Sequence, residues 1–313
     1  MRSIIHNPVI NFLYNEQLDR QGGFIMIYRL LALNVDGTVT QNNGKIHRSV
    51  KEAIQYVMDK GVFVTLVTSR NYVMAHKVAK TLKLPSWIVT HHGAYIASSP
   101  DKEPLFEKRI HYETVYDLVV FLEKFPAHIR LVHEKYSVSN NPTGKEGLTA
   151  KTIFYASDPI FYNHRYVDDL STVCADERIQ PPHIDVLFER EEDAKDAKIA
   201  IQNMFYEIDV YQFENKLAIV PKGVSKLTGL LYLGRKLGIS TKEMVYIGSE
   251  LEDIELIEAV GLGVAMGNSP KAVKEAADWV TRSNQQHGVS YMVIEHFRKQ
   301  QPLEFLRRMN VIK

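Results

Sequence analysis

The sequence predicts an α/β protein: a doubly wound, mostly parallel sheet into which an α+β segment is inserted. Three observations predict it. Short apolar runs recur, and each ends in a polar cluster. Stretches with helical spacing alternate with those runs, as a parallel sheet with crossover helices requires. The alternation lapses between about residues 110 and 215, where strands and helices follow in no strict order, and then returns.

The first run, Leu30-Leu31-Ala32-Leu33-Asn34-Val35, reads as a central strand buried on both faces. It turns at Asp36-Gly37-Thr38 into the crevice where open α/β sheets bind ligands. Val50, Ala53, Ile54, Val57 and Met58 then mark one helix face, with Gly61 as its stop. Val62 to Val67 is a second strand ending in Thr68-Ser69-Arg70, and Val73, Met74, Val78 and Leu82 give the next helix. Trp87 to Thr90 is a third strand of the same parallel sheet, closed by His91-His92-Gly93. The polar clusters all lie at strand carboxyl ends and are therefore expected to converge.

Val115, Leu118, Val119 and Leu122 open the inserted segment with a helix. Strands are expected at Thr152 to Tyr155, Ile184 to Phe188 and Val210 to Phe213, with a helix from Ala194 to Phe205. Leu217 to Val220 reopens the core. A helix through Leu227, Leu230, Leu231 and Leu237 follows, and then the strand Met244 to Gly248. A helix from Leu251 to Val260 leads to the strand and turn Gly261 to Asn268, with Pro270 at the first turn of another helix. The expected organisation is an extension over residues 1–25, a core over 26–109 and 216–313, and an inserted domain over 110–215.

Composition excludes several classes. A net charge of +1 offers no polyanion surface, so no nucleic-acid partner is expected. No apolar run reaches the roughly 18–20 residues that cross a bilayer. Asn7, Asn11, Asn15, Glu16 and Asp19 interrupt the first segment against a secretion signal, and residues 1–25 read as an extension, either one or two helical turns or the product of an upstream start codon, without an assigned role. The lone Cys174 suits a reducing cytoplasm and reads as a buried structural thiol. Gly261, Gly263 and Gly267 resemble a dinucleotide loop only loosely, with no acidic residue where one is needed.

The polar clusters also form an ordered set. Asp36-Gly37-Thr38, Thr68-Ser69-Arg70, Gly223-Val224-Ser225-Lys226, the Gly248 to Asp253 stretch, Gly263 to Asn268 and His287-Gly288-Val289 follow one another along the chain. This set resembles the haloacid-dehalogenase-like (HAD) superfamily and its Cof-type sugar-phosphate phosphatases. The resemblance implies a HAD-like core with an inserted cap that selects substrate, and phosphoryl transfer through an aspartyl phosphate assisted by Mg2+. Asn34 stands at the nucleophile position of the motif D-x-D-G-T. Asp36 would be the acid/base, and Gly37 gives the turn its backbone angles. Thr68 and Ser69 would bind phosphate with backbone N–H groups at a helix start, although Thr68 also suits a helix cap. Lys226 would neutralise shared negative charge. Metal ligands would come from positions 34, 36, 249 and 253, and Thr38, Arg70, His92 and Asn268 would line the crevice.

Two departures bear on the chemistry. The family has Asp at position 34, where this chain has the neutral Asn34, and Asp at position 249, where it has Ser249. Losing a covalent nucleophile costs on the order of 10⁶ in turnover. Magnesium depends on a few carboxylates, so it is expected to bind weakly or not at all. Glu250 and Glu252 either compensate or are first-turn glutamates favoured by the helix dipole. His92 stands where the family has Asn; a structural or hydrogen-bonding role is expected for His91 and His92, with metal ligation by the pair as the alternative. Three functions stand open. The first is a HAD-type protein binding small phosphorylated metabolites with impaired catalysis. The second is an active Mg-dependent phosphatase, by compensation or with an engineered Asn34. The third is a non-catalytic partner-binding protein.

Overall fold

The computed structural model describes residues 16–18, 24–98, 103–141, 162–309 and 311–312. The chain divides into two compact units, residues 1–65 with 234–313 and residues 66–233. Among the described residues no helix is long and apolar enough to cross a membrane.

In the first unit a five-stranded sheet runs in the order Trp279–Val280, Leu262–Ala265, Met244–Gly248, Leu30–Leu33, Phe63–Leu66. Its registered pairs are parallel, with Tyr246 opposite Ala32 and Ile247 opposite Leu33. Leu30, Leu31, Ala32 and Leu33 are all fully buried, which is why this strand reads as an unbroken apolar run. Burying each leucine contributes roughly 1.5–3 kcal/mol. The helix Arg48–Asp59 buries the expected face, Val50, Ala53, Ile54 and Val57, and packs against the helix Gly288–Phe297. In the first segment the described residues 16–18 and 24–26 differ from the helical turns expected. Glu16–Leu18 and Phe24–Met26 pair as antiparallel strands instead of forming helical turns.

The second unit carries two sheets. Trp87–Thr90 was expected in the parallel sheet. Among the described residues its parallel pairing is limited to the isolated bridge Val67–Val89, and it otherwise pairs antiparallel with Tyr95–Ser98, which pairs with Pro104–Glu107. The short His91–Gly93 turn folds the chain straight back, and that geometry dictates an antiparallel partner. The larger sheet has six strands in the order Asn163–Val167, Tyr136–Asn140, Ala127–Val132, His183–Phe188, Lys216–Pro221, Ile208–Phe213. Leu217 to Val220 therefore completes this sheet rather than reopening the core, because Lys216–Pro221 pairs antiparallel with both its neighbours. The strand expected at Thr152 to Tyr155 lies outside the described residues.

Residues alternate strictly across this sheet. Ile129, Leu131, Val138, Ile184, Val186 and Phe188 join one core with Val115, Leu118, Ala194, Ala197 and Ile201 of the helices Tyr112–Leu122 and Glu191–Met204. Cys174 belongs to that core, and burial pushes its thiol up to about 12, so it is the inert structural cysteine the sequence suggested. The opposite face is polar yet buried: His128, Arg130, Ser137, Ser139 and His183 are each at most 6% exposed.

Candidate functional site

The motif positions gather in two groups, one within each unit. In the first, the strand Leu30–Leu33 delivers Asn34, fully buried, to a tight turn over residues 35–39. Gly37 holds φ at +63°, and a Cβ there would lie 2.8 Å from Ser249 Oγ, so both backbone and space demand glycine. The parallel partner Met244–Gly248 delivers Ser249 and, one turn later, Asp253.

Hydrogen bonds fix the orientation of these side chains. Asn34 Oδ1 accepts from the Val35 N–H at 2.8 Å. Its Nδ2 donates to Glu250 Oε2 at 3.0 Å, to Asp253 Oδ2 at 3.1 Å and, more weakly, to the Asp36 carbonyl at 3.3 Å. An amide flip would set an oxygen against two carboxylates, so the network admits one orientation. Asp253 Oδ2 also accepts from the backbone N–H groups of Ser249 and Glu250, and Oδ1 accepts from the Tyr246 hydroxyl at 2.7 Å. The Thr38 hydroxyl donates to Ser249 Oγ, which donates to the Asp36 carbonyl at 2.9 Å. Asn268 Nδ2 donates to the Gly37 carbonyl, and its Oδ1 accepts from the Asn284 N–H.

A hard divalent cation needs carboxylate, carbonyl and water oxygens turned toward it. Of the four positions implied as ligands, Asn34 and Ser249 present N–H and O–H groups to the oxygens of Asp253 and of the Asp36 backbone. The Asp36 side chain is half-buried beside them. Of the two flanking glutamates, Glu250 reaches Asn34, whereas Glu252 is half-buried on the turn Leu251–Asp253.

The second group builds around Thr68. Its N–H donates to the Val89 carbonyl at 3.0 Å, and its Oγ1 accepts from the Arg70 N–H at 3.2 Å. Thr68 does not cap the next helix: Asn71 does, accepting from the Met74 N–H at 2.9 Å. Ser69 and Arg70 are half-buried on this turn, and the Arg70 carbonyl accepts from the His91 N–H. Gly93 approaches Ser225 so closely that a Cβ would lie 2.0 Å from its carbonyl oxygen. That contact brings the His91–Gly93 turn against the start of the helix Lys226–Leu237, where Lys226 is only 3% exposed. A lysine so buried is not an ordinary solvated side chain.

Several residues of this unit were not singled out from the sequence. His91 Nδ1 lies 2.9 Å from His183 Nδ1, and the His92 and His183 rings stand edge to face at 5.2 Å. Arg130 sits opposite Asp185 in register, and its Nε donates to Ser137 Oγ. The alternation of polar and apolar residues in Ala127–Val132 and His183–Phe188 was the available signal. Burial, and then the neighbouring His183, hold the His91 imidazole well below its usual range. Burial likewise pushes His133 and His128 down to about 4.

Comparisons with known proteins fit this arrangement. A profile of the haloacid dehalogenase-like hydrolases matches residues 31–293. YhaX, a stress response protein of Bacillus subtilis (strain 168), is 45% identical across 91% of this chain and 99% of its own length. From the same organism, the 5-amino-6-(5-phospho-D-ribitylamino)uracil phosphatase YcsE is 25% identical across 84% of this chain and 93% of its own. A solved haloacid dehalogenase-like hydrolase from Bacteroides thetaiotaomicron superposes with a TM-score of 0.73 at 23% identity, covering 86% of this chain and 99% of its own. A solved subclass IIB sugar phosphatase of the superfamily gives 0.72 at 23%, with the same coverage. The structural matches carry the fold, and the sequence matches carry descent: the chain belongs to the haloacid dehalogenase-like hydrolases.

Proposed function

We propose that this chain is a phosphatase-derived binder of small phosphorylated metabolites, of the sugar-phosphate class, with little or no phosphatase turnover. One observation carries the reading: the Asn34 amide donates to Asp253 and Glu250 at the nucleophile position. The nitrogen lone pair of an amide is delocalised into its carbonyl, and Asn34 Oδ1 accepts from the Val35 N–H, so the neutral side chain offers phosphorus no carboxylate nucleophile. Hydrogen bonds from Asn34, Ser249, Glu250 and Tyr246 already compensate the Asp253 charge, so a cation is not needed to hold the buried carboxylate. Magnesium is the ion the superfamily generally uses, and here its affinity is low or negligible.

Thr68 and the buried Lys226 support retention of phosphate binding. The relative YcsE, named as a phosphatase of a phospho-ribityl compound, supports the ligand class. We place the protein in the cytoplasm and assign it neither a nucleic acid nor a membrane as partner. Glu250 favours a second reading, weak Mg-dependent catalysis, because its carboxylate already stands beside Asn34. The test is turnover of a generic aryl phosphate with Mg2+, by wild type and by Asn34→Asp. The reading predicts background rates for wild type together with measurable phosphate-ester binding. A wild-type rate in the ordinary enzyme range, about 1–10³ s⁻¹, would sink it.

A further inference from the structure

Because Ile184, Val186 and Phe188 point into the helix-covered core, His183 and Asp185 project from the opposite face of their strand. The His91–Gly93 turn meets them there. His91 and His92 both hold left-handed backbone angles, φ 51° and 56°. A residue with a Cβ is disfavoured in that conformation, so two in succession need strong local support. The turn brings both rings onto His183, His91 through its hydrogen bond and His92 edge to face. His183 Nε2 lies 3.5 Å from Asp185 Oδ2. One nitrogen each from His92 and His183 and one Asp185 oxygen all lie within 4.8 Å of one another.

We propose that His92, His183 and Asp185 form a binding site for a divalent transition ion of the zinc class. Imidazole nitrogens favour zinc, cobalt, nickel or copper over magnesium, and the single carboxylate lowers the net charge of the complex. Zinc bonded to nitrogen and oxygen at about 2.0–2.2 Å sets neighbouring tetrahedral ligand atoms about 3.4 Å apart. Contraction from within 4.8 Å is a matter of side-chain rotation. Three protein ligands leave a fourth position open, as in sites where an ion meets water or a ligand oxygen. His133, buried with its Nε2 unpartnered, shares this environment and interacts electrostatically with His183.

His91 acts as a positioning residue for His183. The Tyr72 backbone N–H, which can only donate, bonds His91 Nε2 at 3.1 Å. The proton of neutral His91 therefore sits on Nδ1 and faces His183 Nδ1, which leaves the His183 proton on Nε2, toward Asp185. Ion binding at Nε2 moves that proton to Nδ1. His183 then donates to His91, the His91 proton passes to Nε2, and the Tyr72 hydrogen bond is given up. Breaking one neutral hydrogen bond is a modest loss. Zinc coordination is much stronger than one such bond, so even a three-ligand site tolerates the loss. The ion would tie the 91–93 turn to strand His183–Phe188.

The test is a Co2+ titration of the full chain after chelator treatment and dialysis, read by visible d–d absorption and followed by Zn2+ competition. The expected result is one Co2+ per chain, displaced by Zn2+. His92→Asn and Asp185→Asn should each weaken binding by at least tenfold, while loss of the exposed histidine in His111→Asn leaves it unchanged. Absence of stoichiometric Co2+ binding, or binding unaltered in both variants, overturns the proposal. If a variant fails to fold, X-ray absorption at the zinc edge of the loaded wild type decides. Imidazole scattering from two histidines supports the site, and its absence overturns it.

Discussion

Asn34 and Asp253, 219 residues apart in sequence, are joined by a 3.1 Å hydrogen bond from the amide nitrogen to carboxylate Oδ2. The strand that ends just before Asn34 and its parallel partner Met244–Gly248, whose following turn carries Asp253, hold them there, so the contact is built from the sheet. A donor occupies the place where the family motif would put a second carboxylate. Asn34→Asp would therefore set a third carboxylate beside Asp253 and Glu250, and like charges at about 3 Å resist joint ionisation. In chelator the variant should melt below wild type. Mg2+ should raise its melting temperature while leaving wild type unchanged, and thermal denaturation with and without the ion checks both.

The Tyr246 hydroxyl donates to Asp253 Oδ1 from a fully buried position. Tyr246→Phe keeps the ring and removes one hydrogen bond to a charged group. It should destabilise the protein by about 1.5–3 kcal/mol in urea unfolding. A loss under a few tenths of a kcal/mol would show that Asp253 does not depend on this donor.

Gly37→Ala faces two obstacles, a φ of +63° and a Cβ 2.8 Å from Ser249 Oγ. The backbone contribution alone is about 1–2 kcal/mol. Adding Ser249→Ala should recover the steric part and leave the backbone part. Full recovery in the double variant would mean that the turn does not require glycine.

Acid should weaken the second unit through its buried histidines. Burial lowers His133 and His128 to about 4, below the 6.5 of an exposed imidazole. The unfolded chain then binds more protons than the folded one between those values. Stability present above about pH 6.5 is thus lost as pH falls toward 4, by roughly 3 kcal/mol per histidine when complete. Urea midpoints at pH 7.5, 6 and 5 check this, and a flat profile would contradict it.

How much of this was legible depended on how local the cause was. Leu30 to Leu33 read as a buried central strand because a strand covered on both faces needs no polar residue. The motif residues were legible through fixed spacing around strand ends. The pairing of Lys216–Pro221 with His183–Phe188 was not, because a buried strand looks alike in either sheet. Nor was the contact of His91 with His183, 92 residues apart, since nothing near either residue announces the other. The direction of the Asn34 amide was likewise hidden. The sequence names the amide, but only its carboxylate neighbours decide which end faces them.

The most direct measurement is a calorimetric Mg2+ titration of the wild-type chain beside Asn34→Asp/Ser249→Asp. Hydrogen bonds in place of a cation predict no saturable Mg2+ binding by wild type through the millimolar range. The double variant, with both carboxylates present, should bind one ion. A wild-type chain that takes up one Mg2+ at submillimolar concentration would contradict the account, because the Asn34 amide could not then be holding the Asp253 carboxylate.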